Sequence, residues 1–347
     1  MNGRLVPRWI ARYAAPETVN ETVAPAPFSL PVRAAHIDEL AAQAAEHGVI
    51  MALAPHVKRV ARERPEHLVS GDGAAEAITR MVDALQNAYM AQIVRNMSLE
   101  ALAKQVDGMI AENGFDAVIV KGPDLANVAY GGLQHRAFSD VDILADAESA
   151  LAVGDAVTAM GFKPVNPTEK RVAYTERQFW RKGMHGTVDL VEVHTDLVHA
   201  PKLRKSMSMT YADYAGGPVG VTNASRLVMA ALHGAASHLF DRMRYVTDML
   251  MVARAGVDAD ALVDLTGRCG ANTPVRTGLA LAHAIFADEL LKQLGDAVPP
   301  VRGDLPARLL VTAGTVLEAQ GPRRGRASWR RQAYRLILDK QPANEAQ

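Results

Sequence analysis

Two aspartates in the run Ser139-Asp140-Val141-Asp142-Ile143-Leu144 are the residues best placed by type and spacing to do chemistry. The run reads as a strand over about Asp140–Leu144. Side chains alternate across a strand, so Asp140 and Asp142 share one face, about 7 Å apart, while Val141 and Ile143 take the other. Two carboxylates so placed repel each other unless a cation sits between them. Hard oxygen ligands of this kind suit Mg²⁺, which also keeps waters and phosphate oxygens in its shell. An Asp-x-Asp triplet arises often by chance, so it needs corroboration from elsewhere in the chain.

Two further features supply it. Lys121-Gly122 follows the apolar run Ala117-Val118-Ile119-Val120, and Pro123 suits the first turn of a helix. A strand passing through glycine into a helix start offers free N–H groups and the positive end of the helix dipole, and Lys121 adds a full charge. Gly-x-x-x-x-Gly-Lys is absent, so this is not a Walker A loop. Glu192-Val193-His194, preceded by Asp189-Leu190, lies on a later strand. There Glu192 and His194 share one face and Asp189 takes the other, so only one of the two acids can join the pair, and the strand alone leaves the choice open. With Glu192 as that acid, His194 stands beside it within reach of a phosphate. A phosphate-cradling turn, a paired-Asp strand and a further acidic strand, in that order, are what metal-assisted nucleotidyl transfer requires. Two cations held by three carboxylates would orient the triphosphate, activate a hydroxyl and neutralise the departing pyrophosphate.

Val120-Lys121-Gly122, Leu125, Tyr130, Arg136, Ser139 to Leu144, Gly161-Phe162 and Glu192-Val193-His194 together resemble the uncharacterised nucleotidyltransferase family of the polymerase-beta-like superfamily. The resemblance extends over most of the chain. It implies an α+β fold, with a small mixed-sheet nucleotidyltransferase core flanked by helical regions. It also implies that Asp140, Asp142 and Glu192 are the catalytic and metal-binding acids. Lys121, Gly122, Arg136 and His194 would be the nucleotide-binding residues. Lys121-Gly122 stand where the wider superfamily carries a Gly-Ser phosphate loop, a pair this chain lacks. The implied cofactors are two Mg²⁺ ions with an NTP, ATP first among them.

These residues need elements to hold them. Residues 1–33, with Pro16, Pro25, Pro27 and Pro31, read as an irregular lead-in. Residues 34–114 read as helical, with Ile37, Leu40 and Ala44 in one helix and a second near Ala74–Met97. Ser98 looks like the N-cap of a third, closed by Gly114. Residues 115–222 hold the α/β core: the Ala117–Val120 strand, a helix to about Tyr130, the Asp-x-Asp strand, a helix capped by Asp146 and stopped by Gly161, and a hairpin of strands near Arg177–Arg181 and Val188–His194. Residues 223–320 return to helix at about 225–255, 258–269 and 275–292. Residues 321–347 form a basic tail in which Trp329, Ala333 and Ile337 make the buried side of a last helix.

In the helix after Ala224, His233, Ser237, Asp241, Arg244 and Asp248 fall on one polar stripe, which the pattern favours as the wet side of an amphipathic helix. Arg136 suits either a bidentate phosphate contact or a surface turn. Lys plus Arg and Asp plus Glu both number 38, which argues against coating nucleic acid by bulk charge. Arg323, Arg324, Arg326, Arg330, Arg331 and Arg335 nonetheless make the tail locally basic, and a solvated face is the commoner use of such a run. Cys269 is the single cysteine. Leu227–Phe240 is too short to span a bilayer, and Arg4, Arg8 and Arg12 precede no apolar signal core, so a cytoplasmic protein without membrane partners is expected. The expected reaction moves a nucleoside monophosphate, AMP first among them, from an NTP to a hydroxyl or phosphate of a small-molecule, peptide or RNA acceptor. The alternatives are an inactive nucleotide- or partner-binding module, or a toxin-like or maturation factor acting on tRNA or peptide.

Overall fold

The computed structural model describes residue 14 and residues 37–69, 73–166, 176–183, 186–317 and 329–339. Apart from residue 14, the lead-in over 1–33 lies outside the described residues, with Arg4, Arg8 and Arg12, and so do Arg323, Arg324 and Arg326. Helices α1 (Ile37–Glu46) and α2 (Ile50–Glu63) precede a 40-residue helix α3 (Ala74–Asn113). Ser98 does not cap anything: it lies inside α3, which runs on to the left-handed Gly114 at its end. One face of α3 stays apolar through the supposed break, and it serves two cores in succession. Ala77, Met81 and Leu85 pack in the helical core, whereas Leu99, Leu102, Val106 and Ile110 pack against the sheet. At 1.5 Å per residue the helix is about 60 Å long, enough to run from one core to the other.

The chain then forms β1 (Ala117–Val120), α4 (Gly122–Val128), β2 (Val141–Ala145), α5 (Ala150–Ala159), β3 (Lys163–Pro164), β4 (Glu176–Lys182) and β5 (Val188–His194). The five strands make one mixed sheet in the order β1-β2-β5-β4-β3, in which only β2 and β5 run parallel. The expected hairpin is the antiparallel β4–β5 pair. Asp146 lies three residues before Ser149, the residue that precedes α5. Its side chain accepts from the Glu148 N–H in the turn between.

A short α6 (Tyr211–Tyr214) leads into α7 (Asn223–Leu232), a π-helical turn at His233–His238, α8 (Met243–Arg254), α9 (Ala259–Arg268), α10 (Asn272–Phe286), α11 (Glu289–Ala297), α12 (Asp304–Leu310), α13 (Ala313–Leu317) and α14 (Trp329–Asp339). The helices expected at 225–255 and 275–292 are therefore each broken. Leu239 and Phe240 both adopt positive φ, as does Ala287 in the second case. Phe240 is fully buried, and Gly234 and Gly278 make room for its ring: a Cβ added at Gly234 would lie 2.5 Å from it. The amphipathic pattern continues across both breaks, so periodicity alone cannot report them. In α14 the buried residues are Tyr334 and Leu338, with Ile337 partly buried against the same core, while Trp329 is 67% exposed, so the core-facing side is shifted by one residue from the expected Trp329–Ala333–Ile337 face. No helix among the described residues is long and apolar enough to cross a membrane.

Candidate active site

Strand pairing assembles the site. Asp142 on β2 sits opposite Glu192 on β5, which in turn sits opposite Gln178 on β4. One pair further along, His194 is flanked by Leu144 and Glu176. Directly paired residues project from the same face of a sheet, so one polar row crosses three strands and the His194–Glu176 pair lies beside it across two. Asp140 lies one residue before β2 but on the same face as Asp142, and both line a cavity of about 620 Å³ with Lys121, Gly122, Glu192 and Arg136.

The centre of the cluster is Asp142, 4% exposed. Its Oδ1 accepts from Lys121 Nζ and from His194 Nε2, each at 2.8 Å. Burial alone would raise this carboxyl, but the Lys121 ammonium and the His194 hydrogen bond hold it well below the usual carboxylate range. Lys121 stays charged: the cost of its burial is outweighed by Asp142. Burial and the Lys121 charge push His194 down to about 4, so its ring is neutral and Nε2 carries the hydrogen given to Asp142. Glu192 is pushed up to about 8 by burial and by the adjacent Asp142 charge, and burial, then Asp142, raises Asp140 as well. Two carboxyls thus lack the counter-charge that would let them ionise together.

That shortage is one a cation would relieve. Ligand atoms of Asp142, Glu192 and His194 lie within 4.8 Å of one another, and a second such group is Glu176, His194 and His199. Both protein contacts of Asp142 fall on Oδ1, leaving Oδ2 without a partner among the described residues. Carboxylate oxygens with one imidazole fit a hard divalent cation. Asp140 lines the cavity without belonging to either group.

The turn that supplies Lys121 is strained. Lys121 has φ 59°, a region a non-glycine residue rarely occupies, and its Nζ contact to Asp142 helps hold it there. Gly122 is closely packed, since a Cβ there would lie 3.2 Å from the Asp140 carbonyl oxygen and the neighbour would have to give by a few tenths of an ångström.

Arg136 is largely covered, its side chain 12% exposed, rather than on a surface turn. Nε and Nη2 donate to the two carboxylate oxygens of Asp248, at 2.7 and 2.8 Å, and Nη1 donates to the Gly122 carbonyl at 3.3 Å. Tyr130 Oη also donates to Asp248, at 2.7 Å. Asp248 is 4% exposed and His233 borders the cavity, which overturns the wet-side assignment of that stripe. Ser237 and Arg244 line the cavity too, because the break after His238 lets the two segments turn one set of polar groups inward. Asp189, the other candidate third acid, faces away and pairs with Arg95 at 2.9 Å and Arg181 at 3.4 Å. Glu192 is the acid that shares the cavity with Asp140 and Asp142.

Sequence reasoning passed over several residues. Glu176 and Gln178 alternate on β4 and were accessible from the hairpin register; Gln178 Nε2 donates to Glu192 at 2.7 Å, and His199 donates to Glu176. Asn96, 0% exposed in α3, had no local signal. Its side chain donates to the Leu133 and Arg136 carbonyls at 2.6 and 2.8 Å and accepts from the Phe138 N–H, clamping the loop that carries Arg136 towards Asp140.

Carboxylates on neighbouring parallel strands thus lie beside a strand-to-helix turn in an α+β protein whose mixed sheet is flanked by helices. The chain belongs to the uncharacterised nucleotidyltransferase family, whose profile matches residues 33–287. No curated protein and no solved structure matches it. The chain is accordingly a transferase that carries out nucleotidyl transfer with a nucleotide as substrate.

Proposed function

We propose that the protein is a divalent-metal-dependent nucleotidyltransferase moving a nucleoside monophosphate, AMP in the first instance, from an NTP to a hydroxyl or phosphate of an acceptor. The observation that carries this is the direct pairing of Asp142 with Glu192 on parallel strands, beside Asp140, in one cavity with the Gly122 turn. Asp140, Asp142 and Glu192 would hold Mg²⁺, with His194 within reach of the same position. When bound, the cation supplies charge neutralisation for the phosphates and acidifies the attacking hydroxyl.

The chain's own groups then divide the remaining tasks. Lys121 and His194 fix the Asp142 carboxylate in one orientation, so its free oxygen is preorganised. Glu192, steadied by Gln178, accepts the proton of the attacking hydroxyl in its ionised form, which gains population as pH rises through its raised value of about 8. The Gly122 turn, braced by Arg136, borders the phosphates with backbone N–H groups.

The test is incubation with each α-labelled NTP, Mg²⁺ and a cell extract, comparing the wild type with Asp140→Asn/Asp142→Asn. Mg²⁺-dependent labelling of an acceptor that the double variant abolishes is expected. Equal labelling by both proteins would exclude these acids as the catalytic set. Nucleotide binding indifferent to Mg²⁺, without labelling, would favour an inactive binding module.

A further inference from the structure

Lys121 and Arg136, the two cations the sequence offered to phosphates, are committed inside the protein, to Asp142 and Asp248. A nucleotide's triphosphate, or a phosphorylated acceptor, brings several negative charges that must be met elsewhere in the cavity. Three other arginines line it: Arg244 near the start of α8, and Arg331 and Arg335 on α14. Arg244 donates to Tyr245 Oη at 3.0 Å and Arg335 to the Ala236 carbonyl at 3.3 Å. Neither has a carboxylate within ion-pairing distance among the described residues. Arg331 pairs with Asp241 at 3.3 Å. Between them the π-helical turn presents Ser237 Oγ and His233 Nδ1, buried atoms with no hydrogen-bond partner among the described residues.

These features are complementary to an oxyanion. Guanidinium groups without acids attract it, and an unsatisfied hydroxyl can donate to it. Single π-helical turns inside α-helical runs occur often at functional positions. Burial first, and then the charges of Arg244, Arg242 and Arg331, push the neighbouring His238 down to about 3.

We propose that Arg244, Arg331 and Arg335, with the Ser237 hydroxyl, form a phosphate-binding wall, and that α14, which lies beyond the family-matched residues 33–287, completes the substrate cleft. The inference deepens the transfer reaction proposed above and rests on it for the source of the phosphates, either the nucleotide's triphosphate or a phosphate on the acceptor. The wall itself does not need the carboxylates.

Calorimetric titration of the full chain with inorganic tripolyphosphate in metal-free buffer tests it. The wild type binds, and Arg335→Gln and Arg244→Gln each weaken binding by at least about tenfold, the equivalent of one charge-assisted hydrogen bond. Arg335→Lys keeps part of the affinity, and Ser237→Ala gives a smaller loss. Far-UV circular dichroism checks that each variant is folded, and Arg335, being exposed, is the substitution least able to disturb folding. Asp140→Asn/Asp142→Asn binds tripolyphosphate at least as tightly as the wild type, so loss of nucleotidyl transfer and loss of this wall are separable. A non-hydrolysable NTP that displaces tripolyphosphate assigns the wall to the nucleotide, whereas simultaneous binding assigns it to the acceptor's phosphate. Unchanged affinity in folded Arg335→Gln and Arg244→Gln, or no binding by the wild type, overturns the proposal.

Discussion

Replacing Asp248 tests the brace beneath the active-site turn. Asp248 accepts both guanidinium donors of Arg136 and the Tyr130 hydroxyl, and the Arg136 and Asp248 side chains are 12% and 5% exposed. Removing one partner of a buried ion pair strands the other charge, which costs about 3–5 kcal/mol. Total stability is about 5–15 kcal/mol for a domain, so the loss is a large fraction of it. Asp248→Asn keeps the shape and an acceptor for Tyr130 but removes the charge, and about 3 kcal/mol of destabilisation is expected, at the low end of that range. Arg136→Met/Asp248→Leu removes both charges together, and an apolar replacement of a buried pair is often neutral or better. With the Tyr130 hydroxyl left unpaired at a cost of about 1–3 kcal/mol, the double variant should fall within about 2 kcal/mol of wild type. Urea unfolding followed by far-UV circular dichroism measures both. The double variant should still transfer nucleotide poorly, because the Arg136 contact to the Gly122 carbonyl is gone. A loss below about 1 kcal/mol in Asp248→Asn, or a double variant as unstable as the single one, would refute the stranded-charge reasoning.

Mg²⁺ should raise the wild-type melting temperature through binding to the native state alone, and Asp142→Asn and Glu192→Gln should each abolish that rise in differential scanning fluorimetry. Asn96→Leu should cost about 2–4 kcal/mol by leaving the Leu133 and Arg136 carbonyls unpaired, and limited proteolysis should then cut within residues 133–138. His47 accepts from the Met243 N–H and is pushed down to about 4 by burial and then by Arg242. Its folded value lies below its unfolded one, so the unfolded chain binds the extra proton and stability falls as pH drops from about 6.5 to about 4. Across that window His47→Gln, which keeps an acceptor, should lose about 2–3 kcal/mol less than wild type in urea titrations at successive pH values.

Much of the site was legible from local pattern because strand alternation is a local rule. Asp140 and Asp142 share a face, as the sequence requires, and the buried Ala117–Val120 strand, the Gly122 turn and the β4–β5 hairpin lie where turn residues and apolar runs place them. The helix ends were less legible. A β-type or helical period states which way a side chain points and is silent on whether the helix continues, so it joined α7 to α8 across Leu239 and Phe240, while the N-cap residue type of Ser98 suggested a break inside α3. Packing settled both, through the Phe240 ring seated on two glycines in one case and two cores served by one apolar face in the other.

What the chain determines by itself is therefore the Asp140–Asp142 pair, the face it occupies and the order in which the candidate acids arrive. Which of Glu192 and Asp189 joins the pair, which carboxylates consume Lys121 and Arg136, and which arginines reach the cavity from α14 were decided only in three dimensions. The reason is that charges interact through space with a strength set by distance and burial. The partners here stand far apart along the chain, 112 residues in the case of Arg136 and Asp248, and only strand pairing and helix packing bring them together.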